Sequence, residues 1–286
     1  MGVKLTSILE KKPITFDELN GKSIAVDFSN SAYQFLSSIR QPDGTPLMDF
    51  KKRITSHLSG IFYRNVALIL DGIRLIYVFD GEYHPLKNRT QDMRAEIKEE
   101  AREKYERAKE EEDIEAMGKY ARGFIKIDKE ILKESVELLD AMGVAVVQAP
   151  GEGEMQCAHI VKNAEAWAVA SQDYDALVVG ATRLIQNLTL ARKRKTISGF
   201  IEVFPQIIEL NSVLKELEIN HQQLICIGII TGTDYNPGGI KGLGPKKALK
   251  IVKEFETKEE IFKTLHEDEK YSKYEINFDW KEIFEE

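Results

Sequence analysis

Cysteine is scarce in this chain: 286 residues hold two, Cys157 and Cys226. Both lie in apolar stretches of helical pattern, which excludes a disulfide scaffold and predicts buried free thiols in a reducing compartment. Histidine is also thin, at five, and none falls in a His-Glu-x-x-His or related spacing, so no zinc site of that kind is expected. Long hydrophobic runs are missing too. Nowhere do eighteen apolar residues follow one another, and Met1-Gly2-Val3-Lys4 leads into no apolar signal core; a soluble, intracellular protein with no membrane partner is expected. Repeats and low-complexity linkers are absent. What the chain has in quantity is core material, 43% hydrophobic residues, enough for one large or two modest domains without covalent help.

The formal net charge of −7 argues, as a total, against a polyanionic partner. Placement argues the other way. Basic residues gather at Arg192-Lys193-Arg194-Lys195 and again at Lys241, Lys246, Lys247, Lys250 and Lys253, while acids crowd residues 99–113 and the C-terminal segment.

Short runs rich in Val and Ile alternate with longer helical patterns, the pattern of βαβ units. Strands are predicted at Ser23–Val26, Leu75–Phe79, Val144–Val147, Ala166–Ala170 and Leu184–Leu188, with helices at Thr55–Asp71 and Lys129–Met142; beyond residue 200 the chain reads as mostly helical. The fold class is α/β, a central, mostly parallel twisted sheet flanked by helices. Between Arg94 and Asp113, fifteen of twenty residues are charged and the apolar remainder makes only a thin helical stripe. Such a helix is either a solvated face or one that projects from the body and meets a partner.

Carboxylates end the apolar runs. Asp27 closes "KSIAVD", Asp80 closes "IRLIYVFD", Glu152 and Glu154 follow Pro150 at a helix start, Asp173 and Asp175 follow "WAVA", and Asp234 follows "ICIGIITGT". In an extended segment Asp173 and Asp175 would share a face, and two such charges at about 4 Å repel by roughly 4 kcal/mol at an effective dielectric near 20. A single Asp after a strand is ordinary turn chemistry. In a parallel sheet, however, the carboxyl ends of strands converge, so these acids, distant in sequence, can form one site. Oxygen donors alone suit a hard cation, Mg²⁺ or Mn²⁺, and so many acids suggest two ions.

"GGIKGLGPKKALKIV", residues 238–252, reads as a glycine hairpin feeding a helix, with Gly242 and Gly244 allowing close approach, Pro245 at the first helical position, and Lys246 and Lys247 beside the free amides. That combination suits sequence-independent binding of a nucleic-acid backbone. Tyr33 could stack on a base or belong to the core, and Lys87 and Arg94 follow Asp80 closely enough to reach a phosphate.

"VFDG", "APGEGEMQCA", "SQDYDALVVGA" and "GTDYNPGGIKGLGPKKAL", behind an N-terminal "MGVKL", resemble the flap endonucleases of the xeroderma pigmentosum G-type 5′ nuclease superfamily, particularly the archaeal branch. The resemblance runs from Met1 to about residue 255. It implies a PIN-like fold and a structure-specific 5′ flap endonuclease with 5′ exonuclease activity, acting in DNA replication and base excision repair. By the same resemblance Asp27, Asp80, Glu152, Glu154, Asp173, Asp175 and Asp234 hold two Mg²⁺ ions, with Mn²⁺ as substitute. The resemblance further implies that Lys87, Arg94, Asp80 and Asp173 are the catalytic groups. Tyr33, Arg40, Lys87, Arg94, Arg192, Lys193, Arg194, Lys195, Gly242, Gly244, Lys246 and Lys247 face the DNA, and K⁺ assists at the hairpin.

The implied organisation is one nuclease domain over 1–286. Within it lie an N-terminal region (1–95), a helical arch (88–128), an internal region (129–255) with a hairpin at 232–253, and a C-terminal segment (256–286) that ends earlier than the resemblance leads one to expect. Two departures stand out: Gly151 stands where members of the family usually have Ser or a similar small residue and Gly153 where they have Ala, and no Gln-x-x-Leu-x-x-Phe-Phe sliding-clamp motif occurs. Nothing demands more than a monomer. A 5′ exonuclease acting on duplex ends and a non-catalytic junction binder are the rival expectations.

Overall fold

The strand runs become β1 (Lys12–Pro13), β2 (Ser23–Asp27), β3 (Arg74–Phe79), β4 (Ala145–Gln148), β5 (Ala168–Ala170), β6 (Arg183–Gln186), β7 (Lys193–Thr196), β8 (Gly199–Glu202) and β9 (Gln206–Glu209). These come from a computed structural model that describes residues 3–41, 43–82, 84–189, 193–196, 199–272 and 274–286. One seven-stranded sheet takes the order β1-β9-β6-β5-β2-β3-β4, and β7 and β8 form a separate two-stranded antiparallel sheet. From β6 to β4 all neighbours are parallel; β9 joins β6 antiparallel and β1 joins β9 antiparallel.

The helices are α1 (Phe16–Leu19), α2 (Phe28–Ser38), α3 (Ser56–Leu70), α4 (Asn88–Glu110), α5 (Ile114–Tyr120), α6 (Lys129–Ala141), α7 (Gly153–Lys162), α8 (Asp175–Val178), α9 (Leu210–Leu217), α10 (His221–Thr231), α11 (Pro245–Val252), α12 (Lys258–Glu267) and α13 (Trp280–Glu285). The period-2 alternation of the central strands sorts their side chains into two cores. Ile24, Val26 and Tyr77 pack with residues of α2, α3 and α6 on one face, while Ala25, Val78 and Val169 pack with α7, α8, α10, α11 and α12 on the other. Cys157 and Cys226 are free and buried in helices of the second core, as their apolar surroundings predict.

Chain order decides where a site can form. From β2 the chain steps to β3 and β4 on one side, then crosses back to β5 and β6 on the other. The loops leaving β2 and β5 therefore diverge, and the crevice at their carboxyl ends is the natural ligand position of an open α/β sheet.

Two sequence expectations need correction. The chain is not helical directly after residue 200: β8 and β9 occupy 199–209, because Gln-Ile-Ile-Glu, too short to show a period, is recruited by the open edge of β6. The segment after β5 is not extended either. It bends at once, and Asp175 opens α8. The charge-rich stretch is helical as expected: α4 spans 23 residues with only Thr90 and Ala108 buried, and Tyr105 meets Phe124 beyond α5 at 5.3 Å between ring centroids.

Candidate active site

Each acid is placed by a strand end or a helix start. Asp27 ends β2 and caps α2, accepting from the Asn30 amide at 3.2 Å. Asp80, just past β3, accepts from the Ser29 hydroxyl and from the Gly153 amide, the latter at 2.7 Å. Gly153 packs tightly there: a Cβ would lie 3.1 Å from Asp80 Oδ1 and 3.2 Å from the Val78 carbonyl, so a larger residue would need these neighbours to shift by a few tenths of an ångström. Glu152 and Glu154 sit on either side of that glycine at the start of α7, and Glu154 accepts from the Ala176 amide at 3.2 Å. Asp173 accepts from Asn30 Nδ2 at 3.2 Å, and Asp175 accepts from the Val3 amide at 2.7 Å.

The electrostatics show that these groups share one volume. Burial first, then Asp80 and Asp173, push the Asp27 carboxyl up to about 7. Burial, against the Val3 hydrogen bond and with the charge of Asp173, raises Asp175 to about 6. Glu154 is raised well above its ordinary value by burial and by Asp175, Asp27 and Asp173. Opposite them stand two cations from the root of α4. Lys87 Nζ lies 2.5 Å from Glu152 and 3.4 Å from Asp234, and Arg94 lies 2.6 Å from Asp234. Burial alone would lower the Lys87 ammonium, but Glu152 and Asp234 outweigh it and hold it above the usual lysine value.

The seven candidate acids are thus near enough to feel one another's charge: Asp27, Asp80, Glu154, Asp173, Asp175 and Asp234 by mutual repulsion, and Glu152 and Asp234 through their shared contact with Lys87. Among the described residues, though, no three Asp, Glu, His or Cys side chains stand close enough together to grip one ion jointly. The donor chemistry nonetheless fits a hard divalent cation: it is oxygen only, and the burial and like charge that raise Asp27, Glu154 and Asp175 are what a cation would relieve.

With this geometry in place, the relatives can be compared. A family model described as the XPG N-terminal domain matches residues 1–101, and one described as the XPG I-region matches residues 143–234. Flap endonuclease 1 of Staphylothermus marinus is 48% identical over 275 residues, covering 94% of this chain and 79% of its own. That of Pyrococcus furiosus is 49% identical over 255 residues, covering 88% and 75% respectively. The chain belongs to the flap endonuclease family. A solved flap endonuclease-1 from Methanococcus jannaschii shares its fold with a TM-score of 0.71 at 38% identity, over 97% of this chain and 88% of that one. The catalytic core of Rad2 in complex with DNA substrate matches at 25% identity with a TM-score of 0.67, over 92% of this chain and 69% of its own.

The remaining candidates of this family member lie on other elements. Tyr33 on α2 is 48% exposed and donates to the Arg122 carbonyl at 3.5 Å, so it is no core aromatic. Arg40 donates to the carbonyls of Leu36 and Gly44 at 2.6 and 2.5 Å. The hairpin forms as read: α10 packs on α11, Gly242 takes φ +93°, Gly244 caps α11, and Lys247 donates to the Gly242 carbonyl at 3.0 Å beside exposed Lys246. Arg192 and the side chains of Lys193, Arg194 and Lys195 lie outside the described residues. No helix among the described residues is long and apolar enough to cross a membrane.

Several groups of the site went unread in the sequence. Ser29 and Asn30 are the second and third residues after Asp27, where a helix cap should have drawn attention to the third residue. Tyr235, whose hydroxyl donates to Glu152 at 2.9 Å, and Thr90, which donates to the Asp234 carbonyl, carry no local signal. Their partners lie more than eighty residues away.

Proposed function

We propose that this chain is a structure-specific 5′ flap endonuclease that hydrolyses phosphodiesters at 5′ flap junctions of DNA, with 5′ exonuclease activity, serving replication and base excision repair. The observation that carries this reading is the meeting of buried and half-buried carboxylates from the ends of β2, β3, β4 and β5 with Lys87 and Arg94 from the root of α4.

Asp27, Asp80, Glu152, Glu154, Asp173, Asp175 and Asp234 are the residues that would hold two divalent cations, Mg²⁺ or Mn²⁺. When bound, such a pair supplies activation of a water and neutralisation of charge on the phosphate. The protein's own part is fixed charge and orientation. Lys87 stays protonated, so it and Arg94 can exchange carboxylate partners for the phosphate oxygens on which charge develops. Tyr235 orients Glu152 through Oε1 while Lys87 meets Oε2, and the exposed ring of Tyr33 offers a stacking surface to the nucleotide beside the scissile phosphate.

The DNA around the cut would be gripped by position, without base readout. The amides of α11 behind Gly242 and Gly244, with Lys246, Lys247 and a K⁺ ion, hold the downstream duplex backbone. Arg40 contacts the template strand, Arg192, Lys193, Arg194 and Lys195 add phosphate contacts, and the α4–α5 segment (88–128) receives the single-stranded 5′ end. In this reading the chain works as one nuclease domain and as a monomer.

The deciding assay compares cleavage of a labelled double-flap DNA, a nicked duplex and a single strand in Mg²⁺, with chelator and Asp173→Ala as controls. Cutting at the flap base that both controls abolish is the expected result. Preferential cutting of the nicked duplex would make it a 5′ exonuclease, and tight binding without cutting would make it a junction binder.

A further inference from the structure

Asp173 differs from its neighbours in how it is held. Asp27, Asp80, Glu154 and Asp175 each accept from a backbone amide, whereas the hydrogen bond on the Asp173 carboxylate comes from a side chain, Asn30 Nδ2 at 3.2 Å. Asn30 does not act alone. Its Oδ1 accepts from Gln34 Nε2 at 2.7 Å and from the Gln172 amide at 3.3 Å, and Gln34 Oε1 accepts from the Thr189 hydroxyl at 3.0 Å. Thr189 is buried at 5% exposure.

The chain of bonds has only one consistent direction. A carboxylate can only accept, so the Asn30 NH₂ must face Asp173 and its carbonyl must face Gln34. The Gln34 NH₂ must then face Asn30, which turns its carbonyl to the hydroxyl of Thr189. The Gln172 amide, a donor that cannot flip, fixes the Asn30 orientation independently. Hydrogen bonds aligned in this way polarise one another, and neutral amides orient a carboxylate without cancelling its charge. Asn30 also ties Asp173 to Asp27, because its own amide donates to Asp27 at 3.2 Å.

We propose that Asn30, Gln34 and Thr189 are positioning residues: a relay that sets the distance and angle between Asp173 and Asp27 for divalent-cation binding. The proposal rests on the metal-dependent nuclease reading above. Outer-shell partners of this kind typically change metal affinity by about 10- to 100-fold when removed.

The test measures Mn²⁺ binding to the DNA-free protein by electron paramagnetic resonance, together with the Mg²⁺ dependence of double-flap cleavage. The variants are Asn30→Ala, Gln34→Ala, Thr189→Val and Thr189→Ser. Asn30→Ala should weaken Mn²⁺ binding and raise the half-saturating Mg²⁺ by at least about tenfold, Gln34→Ala by less, and Thr189→Val by a few-fold. Thr189→Ser, which keeps the hydroxyl, should match wild type. At saturating Mg²⁺ the KM for DNA should stay unchanged, and melting in chelator should not follow the same order. Wild-type metal dependence in Asn30→Ala, or Thr189→Ser behaving like Thr189→Val, would overturn the relay while leaving the nuclease reading intact. A wild-type protein that neither binds Mn²⁺ nor cuts would overturn both.

Discussion

The two edges of the same sheet handle charge in opposite ways. At the amino edge, a cavity of about 610 Å³ is walled by Lys22, Arg74, Lys162, Trp167, Arg183 and Glu209. Charge there is answered locally. Lys22 and Arg183 lie over the Trp167 ring at 5.4 and 5.0 Å, Arg183 also meets Glu209 at 3.4 Å, and Arg74 donates to the Gly21 carbonyl at 3.0 Å. At the carboxyl edge, acids pile up beyond what Lys87 and Arg94 can neutralise, and burial raises the pKa of three of them. Buried like charges weaken a fold unless something binds them. The difference teaches where to look for chemistry: the amino edge, though it holds the larger cavity, stabilises the fold, and the carboxyl edge works.

Breaking the carboxyl edge should have the largest effect. Asp173→Ala is expected to lower double-flap cleavage by about a thousandfold or more, the equivalent of several kcal/mol of transition-state stabilisation, measured in single-turnover assays. Lys87→Ala should follow at roughly 10²- to 10³-fold, with DNA binding changed far less than the cleavage step.

A subtler measurement separates the edges by pH. In chelator, Asp27 and Asp175 carry folded-state pKa values of about 7 and about 6, above their ordinary 3.8. The native state therefore binds more protons than the unfolded one across that window, and stability should fall as pH rises from about 4 to about 7, by on the order of a few kcal/mol. Saturating Mg²⁺ should flatten the slope in denaturant titrations; a slope that Mg²⁺ leaves untouched would mean that the acids do not bind it.

The amino edge should answer only in stability. Trp167→Ala is expected to cost about 2 kcal/mol in urea unfolding while leaving cleavage unchanged. Arg183→Ala should cost less than about 1 kcal/mol, since its partners are solvent-accessible.

Much of this site was legible because strand ends are local events. Asp27, Asp80 and the pair Asp173 and Asp175 each follow an apolar run that can only be a buried strand, and the Gly-Leu-Gly-Pro-Lys-Lys hairpin announces its own helix start. The partners were not legible, because Tyr235 meets Glu152 and Thr90 meets Asp234 across separations that no periodicity encodes. The bend that carries Asp173 was misread as extended although one of its ties is local, the Asp173 amide donating to the Ser171 hydroxyl at 3.2 Å; the other, from the Gln172 amide to Asn30, spans 142 residues.

By itself the sequence determined the alternation of strands and helices, the acids at their junctions and the glycine hairpin, since each depends on residues within a few positions of one another. Only the tertiary structure decided that β5 returns beside β2, that Lys87 and Arg94 come to rest on Glu152 and Asp234, and that a line of amides runs from Thr189 to Asp173. Those contacts arise from packing two cores against one sheet, and the free energy of that packing belongs to the whole chain and to no segment of it.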